Sequence, residues 1–451
     1  MRVAYFSPMP PEKTGVADYS ALLLPALEKR VQVTVARRGR KRALRGADLA
    51  LYHVGNNPDA HAWIVDALRR TPGVVVLHDF VLHHLVAGMT VGRRDGHGYL
   101  DAMEREHGVV GRLLAHGVLD KRIPPLWESR PADFPLAGFV LEHATGLIVH
   151  SRTVRDLARS AGYERPIWIV PHPAWPLPEI SAERVADGPT IGCFGVVNSS
   201  KRIPELLRAF ARVRGRHPDT TLLLVGPTSP GFDLDRRLQR LGLAAEGLVR
   251  EGWVDERRLW ALMAGVDACV NLRHPTMGET SGNVIRSLSL GKPLLVSDVG
   301  WFSELPDTVA LKVSVGEGEV EMLEAGLELL ATRPEVREQM GAAAADRGPE
   351  DRGAGDDRRE PDPDGNPPDP VTQARPRPDA SRSPPPRQSR ERCPRLPRPR
   401  SPPGLRLHPL HRPPRLPRVR RRRGRRPGRG RARVSPARPR RRPSAPAPRV
   451  G

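Results

Sequence analysis

The residues with the clearest potential for chemistry lie in one stretch, 271–307, where a carboxylate precedes the predicted start of a helix. Glu279 is that carboxylate, and it follows a glycine. The first turn of a helix has backbone N–H groups without an intrahelical partner at the positive end of the helix dipole, and such groups suit a phosphate. The stretch therefore predicts a site that holds a nucleotide-linked group beside an acceptor-only side chain. The residues assigned to the first turn are Thr280, Ser281, Gly282 and Asn283.

Short apolar runs alternate with helical patterns along residues 1–345, and this order is typical of parallel sheets. The predicted fold class is α/β, with one parallel-sheet domain at 1–175, a second at 176–345 and a tail at 346–451. The proline-rich stretch 171–187 has the composition of an interdomain linker. Predicted strands are 3–6, 31–36, 47–52, 73–77, 146–150, 167–170, 190–195, 221–226, 248–251 and 309–313, with two more ending at Asn271 and Asp298; predicted helices include 16–29, 151–161, 233–243, 255–264, 317–333 and 334–345.

Polar residues at the carboxyl ends of the predicted strands are further candidates, because open α/β sheets bind ligands at that edge. His78, followed by Asp79, ends one β-branched run, although a structural histidine is an equally good interpretation. Gly15 lies at the first strand-to-helix turn, where it either permits close approach of a ligand or is an ordinary turn glycine. Lys201 lies at a helix start and is predicted to face the same crevice as Glu279, but loops also carry many solvated lysines.

The segment GETSG, followed by a helix, GKP and a Val-Ser-Asp strand, resembles the donor-binding signature of glycosyltransferase family 4. Enzymes of that family are retaining and have the GT-B fold, so the resemblance implies two Rossmann-like domains that face a central crevice. It also implies that Glu279 contacts sugar hydroxyls of the donor. The family's second acidic residue, which contacts the ribose, has no match, because Ser287 stands at that position and Arg286 precedes it. Arginine has only donors and cannot accept hydrogen bonds from ribose hydroxyls.

The resemblance further implies that Lys201 binds the donor diphosphate, as a point charge suited to phosphate. Val196 stands where the family has an arginine, so the second positive charge must come from elsewhere. Arg202, Arg273 and Arg286 all remain open as its source.

Three more residues receive roles from the same resemblance. His78 is expected to approach the transferred sugar, and Gly15 to contact the donor phosphate or the acceptor. Trp253 falls where the family wraps the nucleotide base, and both stacking on that base and ordinary core packing remain open.

These features predict an enzyme that transfers a hexosyl unit from a nucleoside diphosphate sugar to an acceptor hydroxyl with retention. Glu279 and His78 are the predicted catalytic residues, and no second carboxylate is evident as a general base. The donor is a co-substrate, and neither a metal nor a cofactor is expected. The expected acceptor is a glycan, a lipid-linked molecule or a small molecule, with a peripheral membrane contact as one option and no specific nucleic acid. Two alternatives stay open: a nucleotide-sugar epimerase of the same fold, or a defective transferase whose basic tail binds polyanions.

The chain has 451 residues and a formal net charge of +22, but this charge is concentrated at one end. Residues 341–451 contain 31 Arg, no Lys and 11 acidic residues, so the remainder is close to neutral and its charge indicates no particular substrate. The same segment holds 26 of the 50 prolines and no aromatic residue, which predicts a disordered Arg/Pro-rich tail. Two origins stay open for the tail: out-of-frame translation of a GC-rich gene after about residue 345, or a genuine basic segment that binds polyanions nonspecifically.

The cysteines and the apolar runs bear on location. Cys193, Cys269 and Cys393 are far apart and show no metal-ligand spacing, which predicts free thiols in a reducing compartment. No targeting segment is recognisable at the N-terminus, and no stretch approaches the length of a membrane span. A cytoplasmic protein is therefore expected.

Overall fold

The computed structural model describes residues 1–39, 41–243 and 247–346, all within one compact unit, Met1–Gln373. In these ranges twelve strands form two six-stranded parallel sheets. The predicted tail and Cys393 lie outside the described residues.

The first sheet is parallel, as predicted from the sequence, and its first strand is paired on both sides. Tyr5 lies opposite Val35 on one side and Leu51 on the other. Its strands are β1 (Arg2–Phe6), β2 (Gln32–Val35), β3 (Leu49–Val54), β4 (Gly73–Leu77), β5 (Ala144–Val149) and β6 (Ile167–Ile169), in the order β2-β1-β3-β4-β5-β6.

The second sheet is buried on both faces. Leu222 and Leu224 belong to the apolar cluster on one face, and Leu223 and Val225 to the cluster on the other, because successive side chains of a strand point to opposite faces. Its strands are β7 (Thr190–Phe194), β8 (Thr221–Val225), β9 (Leu248–Glu251), β10 (Ala268–Asn271), β11 (Leu294–Ser297) and β12 (Ala310–Val313), in the order β12-β11-β10-β7-β8-β9.

Helices cover both sheets, and most of them connect successive strands. Short 3-10 segments lie at Lys41–Leu44, Val91–Arg93, Pro131–Asp133 and Gly300–Glu304. The α-helices of the described ranges are α1 (Gly15–Glu28), α2 (Pro58–Leu68), α3 (His83–Met89), α4 (Gly96–Leu119), α5 (Leu126–Ser129), α6 (Gly138–Leu141), α7 (Arg152–Ser160), α8 (Ile203–Arg216), α9 (Leu234–Arg240), α10 (Glu256–Gly265), α11 (Gly282–Ser289), α12 (Glu319–Thr332) and α13 (Pro334–Asp346).

The predicted α/β fold with two parallel sheets is confirmed, and the predicted strands agree with the observed ones to within two or three residues at each end. Helix α2 was not predicted, although Asn57 caps it and Pro58 occupies its first turn. The charged region after residue 96 forms the predicted helix, but α4 is kinked at Gly108, where φ is 60°.

A partly buried carboxylate joins the parts of the unit that hold the two sheets. Glu304, beside the second sheet, accepts hydrogen bonds from the Arg152 amide at 3.1 Å and from the Thr153 amide at 2.7 Å. The Thr153 hydroxyl donates to the same carboxylate at 2.7 Å. A carboxylate at the start of α7 also complements the helix dipole. The contact therefore fixes α7 to the second half of the unit, which is the part that contains the second sheet.

Two composition-based expectations can be compared with the structure. Cys193 and Cys269 are both buried and unpaired, as predicted for free thiols. Among the described residues, no helix has the length and apolar character needed to cross a membrane.

Candidate active site

Lys201 and Glu279 meet at the topological switch point of the second sheet. β7 and β10 are neighbours there, but the chain continues from β7 to one side of the sheet and from β10 to the other. Ligands of such sheets bind outside the carboxyl ends of the two strands at this point. The loop after β7 leads to Lys201, and the loop after β10 leads to Glu279. The His274 amide donates to the Ser200 carbonyl at 2.8 Å, which ties the two loops together.

Lys201 is buried beneath the loop that follows β7. Its Nζ donates to the carbonyl of Phe194 at 2.7 Å. Gly195 has φ +105°, and a Cβ at this position would overlap Nζ, so the glycine makes room for the lysine. Burial lowers the pKa of Lys201 to about 8, with a further lowering from Arg273. The lysine is therefore mainly protonated at neutral pH and supplies a poorly hydrated positive charge.

Glu279 is held in one orientation by its own loop. Its Oε2 accepts hydrogen bonds from the Thr276 hydroxyl at 3.1 Å and from the Met277 amide at 2.6 Å. Its Oε1 lies 2.6 Å from Nε of Arg273 in an ion pair whose two side chains are each 17% exposed. Arg273 thus brings a second positive charge to the group formed by Lys201 and Glu279.

The backbone of the Glu279 loop contacts the first half of the unit, which is the part that contains the first sheet. The Phe80 and Val81 amides donate to the Met277 carbonyl at 2.7 and 2.9 Å. Gly278 has φ +82°, and a Cβ there would lie 2.9 Å from the Cβ of Phe80. This close approach sets the carboxyl end of β4 directly against the loop that carries Glu279.

Asp79 is the carboxylate that this contact brings toward Glu279. Burial, followed by the charge of Glu279, raises the pKa of Asp79 to about 7, while Arg273 acts in the opposite direction. The Asn56 amide donates to its Oδ2 at 2.8 Å. Asp79 is therefore a second acidic group near Glu279 that can gain or lose a proton at neutral pH, and the sequence alone did not reveal it.

The helix expected after Glu279 is α11, which begins at Gly282. Ser281 is its N-cap, and its hydroxyl accepts from the Val284 amide at 3.5 Å. Thr280 precedes the cap, so its assignment to the first helical turn is wrong. The N-terminus of α11 nevertheless lies next to Glu279 in the chain, as the sequence predicts.

Asn283 links this helix start to the lysine. Its Nδ2 donates to the Phe194 carbonyl at 3.1 Å, and the same oxygen accepts from Lys201. The first turn of α11 and the Lys201 ammonium are therefore neighbours. Together they form a positively polarised surface of the kind that binds an anion.

Comparison with known families indicates the class of enzyme. Residues 188–332 match the model of the family described as Glycosyl transferases group 1, and this segment contains Lys201, Arg273, Glu279 and α11. The protein is a glycosyltransferase. No curated protein matches the chain.

Solved structures agree on the fold of this glycosyltransferase. HepE of Anabaena, solved in complex with UDP-glucose, is similar with a TM-score of 0.52 and 14% identity, over 76% of this chain and 93% of that one. Sucrose-phosphate synthase of Thermosynechococcus elongatus is similar with a TM-score of 0.51 and 16% identity, also over 76% and 93%. At these identities the likeness shows the fold, which is GT-B.

Arg286 of the glycosyltransferase is buried beside the start of α11. Its guanidinium carbon lies 3.8 Å from the ring centre of Trp175, and one of its nitrogens lies 3.4 Å from Oε1 of Glu256. A Cβ on Gly282 would lie 3.0 Å from the same tryptophan ring. Trp175, to which the sequence gave no role, thus covers both the helix start and the arginine; the only signal for it is an aromatic residue in a polar linker.

Arg202 does not join this group. Its Nε donates to Oε1 of the buried Glu319 at 2.8 Å, so its charge is neutralised by another helix. Of the three arginines considered as replacements for the cation missing at Val196, Arg273 is the one paired with Glu279 and electrostatically coupled to Lys201.

His78 lies in a cluster of buried rings at the carboxyl edge of the first sheet. Its Nε2 is 3.0 Å from Nδ1 of His53, and its ring meets Tyr19 edge-to-face at 4.7 Å. His150 and His172 contact the same tyrosine. Burial and the neighbouring histidines hold the pKa of His78 well below its usual value. The cluster is therefore neutral, and among the described residues no three His, Cys, Asp or Glu side chains are arranged to hold a metal ion.

Gly15 and Trp253 both face open space. An added Cβ at Gly15 would meet no atom within 4 Å, so protein packing does not require a glycine there. Trp253 is 65% exposed, and the interpretation as a core residue is therefore wrong. The ammonium of Lys13 lies 4.4 Å from the Trp253 ring centre, which places the loop before α1 next to the residues after β9.

Proposed function

We propose that this glycosyltransferase transfers a hexosyl unit from a UDP-sugar to an acceptor hydroxyl, with retention, as an enzyme of the family 4 type. The observation that carries the proposal is the grouping of Lys201, Arg273 and Glu279 at the switch point of the sheet that matches the group 1 model. The UDP-glucose bound by HepE supports the uridine nucleotide. Retention rests on the resemblance of the GETSG segment to a retaining family.

In the proposed reaction, the bond between the anomeric carbon and the diphosphate oxygen breaks, and a bond forms between that carbon and the acceptor oxygen. The departing diphosphate gains negative charge, which Lys201, Arg273 and the N-terminus of α11 stabilise. A diphosphate oxygen takes the proton released by the acceptor hydroxyl. Groups fixed before the reaction stabilise this charge without reorganising.

Glu279 and Asp79 act on the sugar in this proposal. Glu279 accepts hydrogen bonds from sugar hydroxyls, and both carboxylates favour the positive charge that develops on the ring. His78 contacts the sugar from the first half of the unit. Arg286, Gly15, Thr280 and Trp253 are proposed to line the donor site around these groups.

The acceptor is proposed to be a glycan, a lipid-linked molecule or a small molecule. An exposed apolar group on α4, formed by Val109, Val110 and Leu113, favours a peripheral membrane contact. A cytoplasmic location is part of the same proposal, because Cys193 and Cys269 are unpaired thiols.

A thermal-shift measurement of the full chain with UDP-, GDP- and ADP-glucose tests the donor assignment, since a ligand that binds the native state raises the melting temperature. We expect a shift with UDP-glucose. Lys201→Met removes a charge-assisted contact worth about 1.5–3 kcal/mol, which corresponds to about ten- to a hundredfold weaker binding. Lys29→Met, which removes an exposed lysine at the end of α1, is the matched control and keeps the shift.

Product analysis separates the reaction classes. UDP-glucose incubated with and without candidate acceptors is followed by NMR, and a new glycoside with the donor's anomeric configuration is the expected product. An epimerised UDP-sugar formed without acceptor would overturn the transferase assignment. A shift in melting temperature with GDP- or ADP-glucose alone would contradict the uridine assignment.

A further inference from the structure

His53 lies beside His78 at the carboxyl edge of the first sheet. Strands β3 and β4 are neighbours there, with Val54 opposite Leu77, and the His78 amide donates to the Val54 carbonyl at 2.8 Å. This backbone pairing brings the two rings together, so that Nδ1 of His53 is 3.0 Å from Nε2 of His78. His53 is fully buried, whereas His78 is half-buried. The hydrogen bond therefore joins an interior ring to a partly open one.

The two facing nitrogens share a single proton. Burial and the neighbouring histidines hold the pKa of both rings well below its usual value, so each ring is neutral and carries one proton on one of its two nitrogens. Two arrangements satisfy the hydrogen bond. Either His53 donates from Nδ1 and its Nε2 is bare, or His78 donates from Nε2 and His53 carries its own proton on Nε2.

The surroundings of the far nitrogen of His53 distinguish these arrangements. This Nε2 is buried and has no hydrogen-bond partner among the described residues. A proton on it would be a buried donor without an acceptor, and such donors are rarer in native structures than acceptors that lack a donor. His53 therefore carries its proton on Nδ1 and donates it to His78.

His150 shows that this ring cluster accommodates a bare nitrogen. Its Nδ1 lies 2.7 Å from the Val170 carbonyl, and because a carbonyl oxygen only accepts, this Nδ1 carries the proton. The Nε2 of His150 is then bare, and it too is buried without a partner in the described part of the chain. The same protonation in His53 thus requires nothing that its neighbour lacks.

The proton of His78 follows from this assignment. Its Nε2 accepts from His53, so the proton lies on Nδ1. Within the described ranges, Nδ1 of His78 has no hydrogen-bond partner and is not one of the buried atoms that lack one, so it is open to a ligand. Phe80, two residues further on, donates its amide to the Met277 carbonyl in the Glu279 loop. The open N–H therefore belongs to the segment that meets this loop.

We propose that His53 is a positioning residue for His78: its Nδ1–H group donates to Nε2 of His78, keeps the proton of His78 on Nδ1 and leaves that N–H free to bind a sugar oxygen of the donor. His78 is then a hydrogen-bond donor and does not act as a base through Nδ1. The contact with the sugar rests on the proposed function, whereas the protonation of the two rings does not.

The first test is a long-range ¹H–¹⁵N spectrum of the full chain labelled with ¹⁵N-histidine, with the His78 signals assigned by His78→Gln. The ¹⁵N shift distinguishes a protonated ring nitrogen from a bare one. We expect Nδ1 of His78 to be protonated and Nε2 to be bare at neutral pH. A proton on Nε2 of His78 would overturn the proposal, and this measurement needs no variant of His53.

Two substitutions of His53 separate its hydrogen bond from its packing. His53→Phe keeps a ring against Tyr5 and Tyr19 but removes the donor, so the proton of His78 should move to Nε2. His53→Asn loses the ring but places an amide N–H near the former Nδ1, so the proton should stay on Nδ1. His83→Phe removes another fully buried histidine, which bonds to the Tyr99 hydroxyl, and is the control that should leave the His78 signals unchanged.

Kinetics with UDP-glucose connect this arrangement to the reaction. His53→Phe should lower kcat/KM about three- to tenfold, the loss expected for one neutral hydrogen bond, and His53→Asn should recover most of it. If His53→Asn resembles His53→Phe in the spectrum and in kcat/KM, His53 acts through packing and the proposal is wrong. The spectra are recorded without substrate. The expected protonation in a protein that transfers no sugar would therefore contradict the proposed function and not the role of His53.

Discussion

At the scale of single residues, the candidate site depends on charges placed where water cannot fully screen them. Arg273 forms an ion pair with Glu279, and the negative charge of Glu279 contributes to the raised pKa of Asp79. Lys201 loses part of its affinity for protons through burial and the nearby Arg273. Asp79 and Lys201 therefore have pKa values close to neutral pH, which is a common property of groups in catalytic sites.

Asp79 should give the transferase reaction a pH dependence near 7. Its ionised form stabilises a cationic sugar ring, so the rate should rise as the pH increases through about 7. Asp79→Asn should lower the rate and remove this rise. The measurement is the initial transfer rate between pH 5.5 and pH 8.5, which extends about 1.5 pH units on either side of the pKa of Asp79.

Glu106 provides the control for this profile. Burial raises the pKa of the Glu106 carboxyl to about 7 as well, but this carboxylate accepts hydrogen bonds from the backbone amides of Phe139 and Gly138. Glu106→Gln should therefore leave the pH profile unchanged. A profile that responds to Glu106→Gln and not to Asp79→Asn would contradict the role given to Asp79.

Substitution by alanine should lower the free energy of unfolding at Gly195 but not at Gly15. Gly195→Ala places a Cβ on Nζ of Lys201 in a left-handed backbone conformation, which should cost about 1–3 kcal/mol and displace the lysine. Gly15→Ala meets no atom, so the free energy of unfolding should not fall. Urea unfolding and UDP-glucose titration of both variants check this. Weaker donor binding in Gly15→Ala without lost stability would support ligand contact at Gly15, whereas unchanged binding would make it an ordinary turn glycine.

At the scale of elements, the loops after β4, β7 and β10 do most of the positioning. The loop after β7 buries Lys201, and the loop after β10 holds Glu279 and presents the Met277 carbonyl to the residues after β4. The carboxyl ends of parallel strands produce this arrangement, because every strand of such a sheet ends at the same edge. Helix α7 is fixed to the second half through Glu304.

Glu304→Ala should destabilise the protein measurably. The substitution leaves the Arg152 and Thr153 amides without their carboxylate, and the loss of a partly buried charge-assisted contact costs about 1–3 kcal/mol. Glu338→Ala, on the exposed part of α13, is the control and should have little effect. Urea unfolding followed by circular dichroism checks the difference; equal midpoints for the two variants would show that the contact contributes nothing.

At the scale of the whole molecule, the ring cluster at the edge of the first sheet should make stability depend on pH. Burial lowers the pKa of His150 to about 4 and that of His172 to about 3. The unfolded chain then binds protons below about pH 6.5 that the folded chain does not, so stability falls as the pH decreases from 6.5 toward 4. Asp79 and Glu106, whose pKa values are raised, act in the opposite direction over the same range.

His172→Phe isolates one member of this cluster. It keeps a ring against Tyr19 and Trp175 but removes the titrating group, so the fall in stability below pH 6.5 should be smaller by about 1 kcal/mol per pH unit. His84→Phe replaces an exposed histidine as the control. Urea unfolding at pH 7.5 and pH 5.5 measures both; the same pH dependence in His172→Phe and the wild type would disprove the assignment to His172.

The sequence predicted most of the fold because the local patterns are strong. Short β-branched or leucine-rich runs such as 73–77 and 221–226 are typical of strands in a sheet buried on both faces, and caps such as Asp255 mark where helices begin. Helix α2 was missed because its polar and apolar residues lack a clear helical period. Lys201 and Glu279 lie together because the sequence places them in the loops after β7 and β10, and these two strands are neighbours in the sheet.

What the sequence determined by itself was the α/β fold, the loop positions of Lys201 and Glu279, and the start of a helix beside that carboxylate, since each depends on neighbouring residues. Only the tertiary structure decided that Arg273 pairs with Glu279 near Lys201, that Glu279 raises the pKa of Asp79 and that Trp175 packs against Arg286. These contacts join residues far apart in the chain. Their pairing depends on how the loops of the two sheets are positioned relative to each other, and no local pattern of residues in the sequence determines that arrangement.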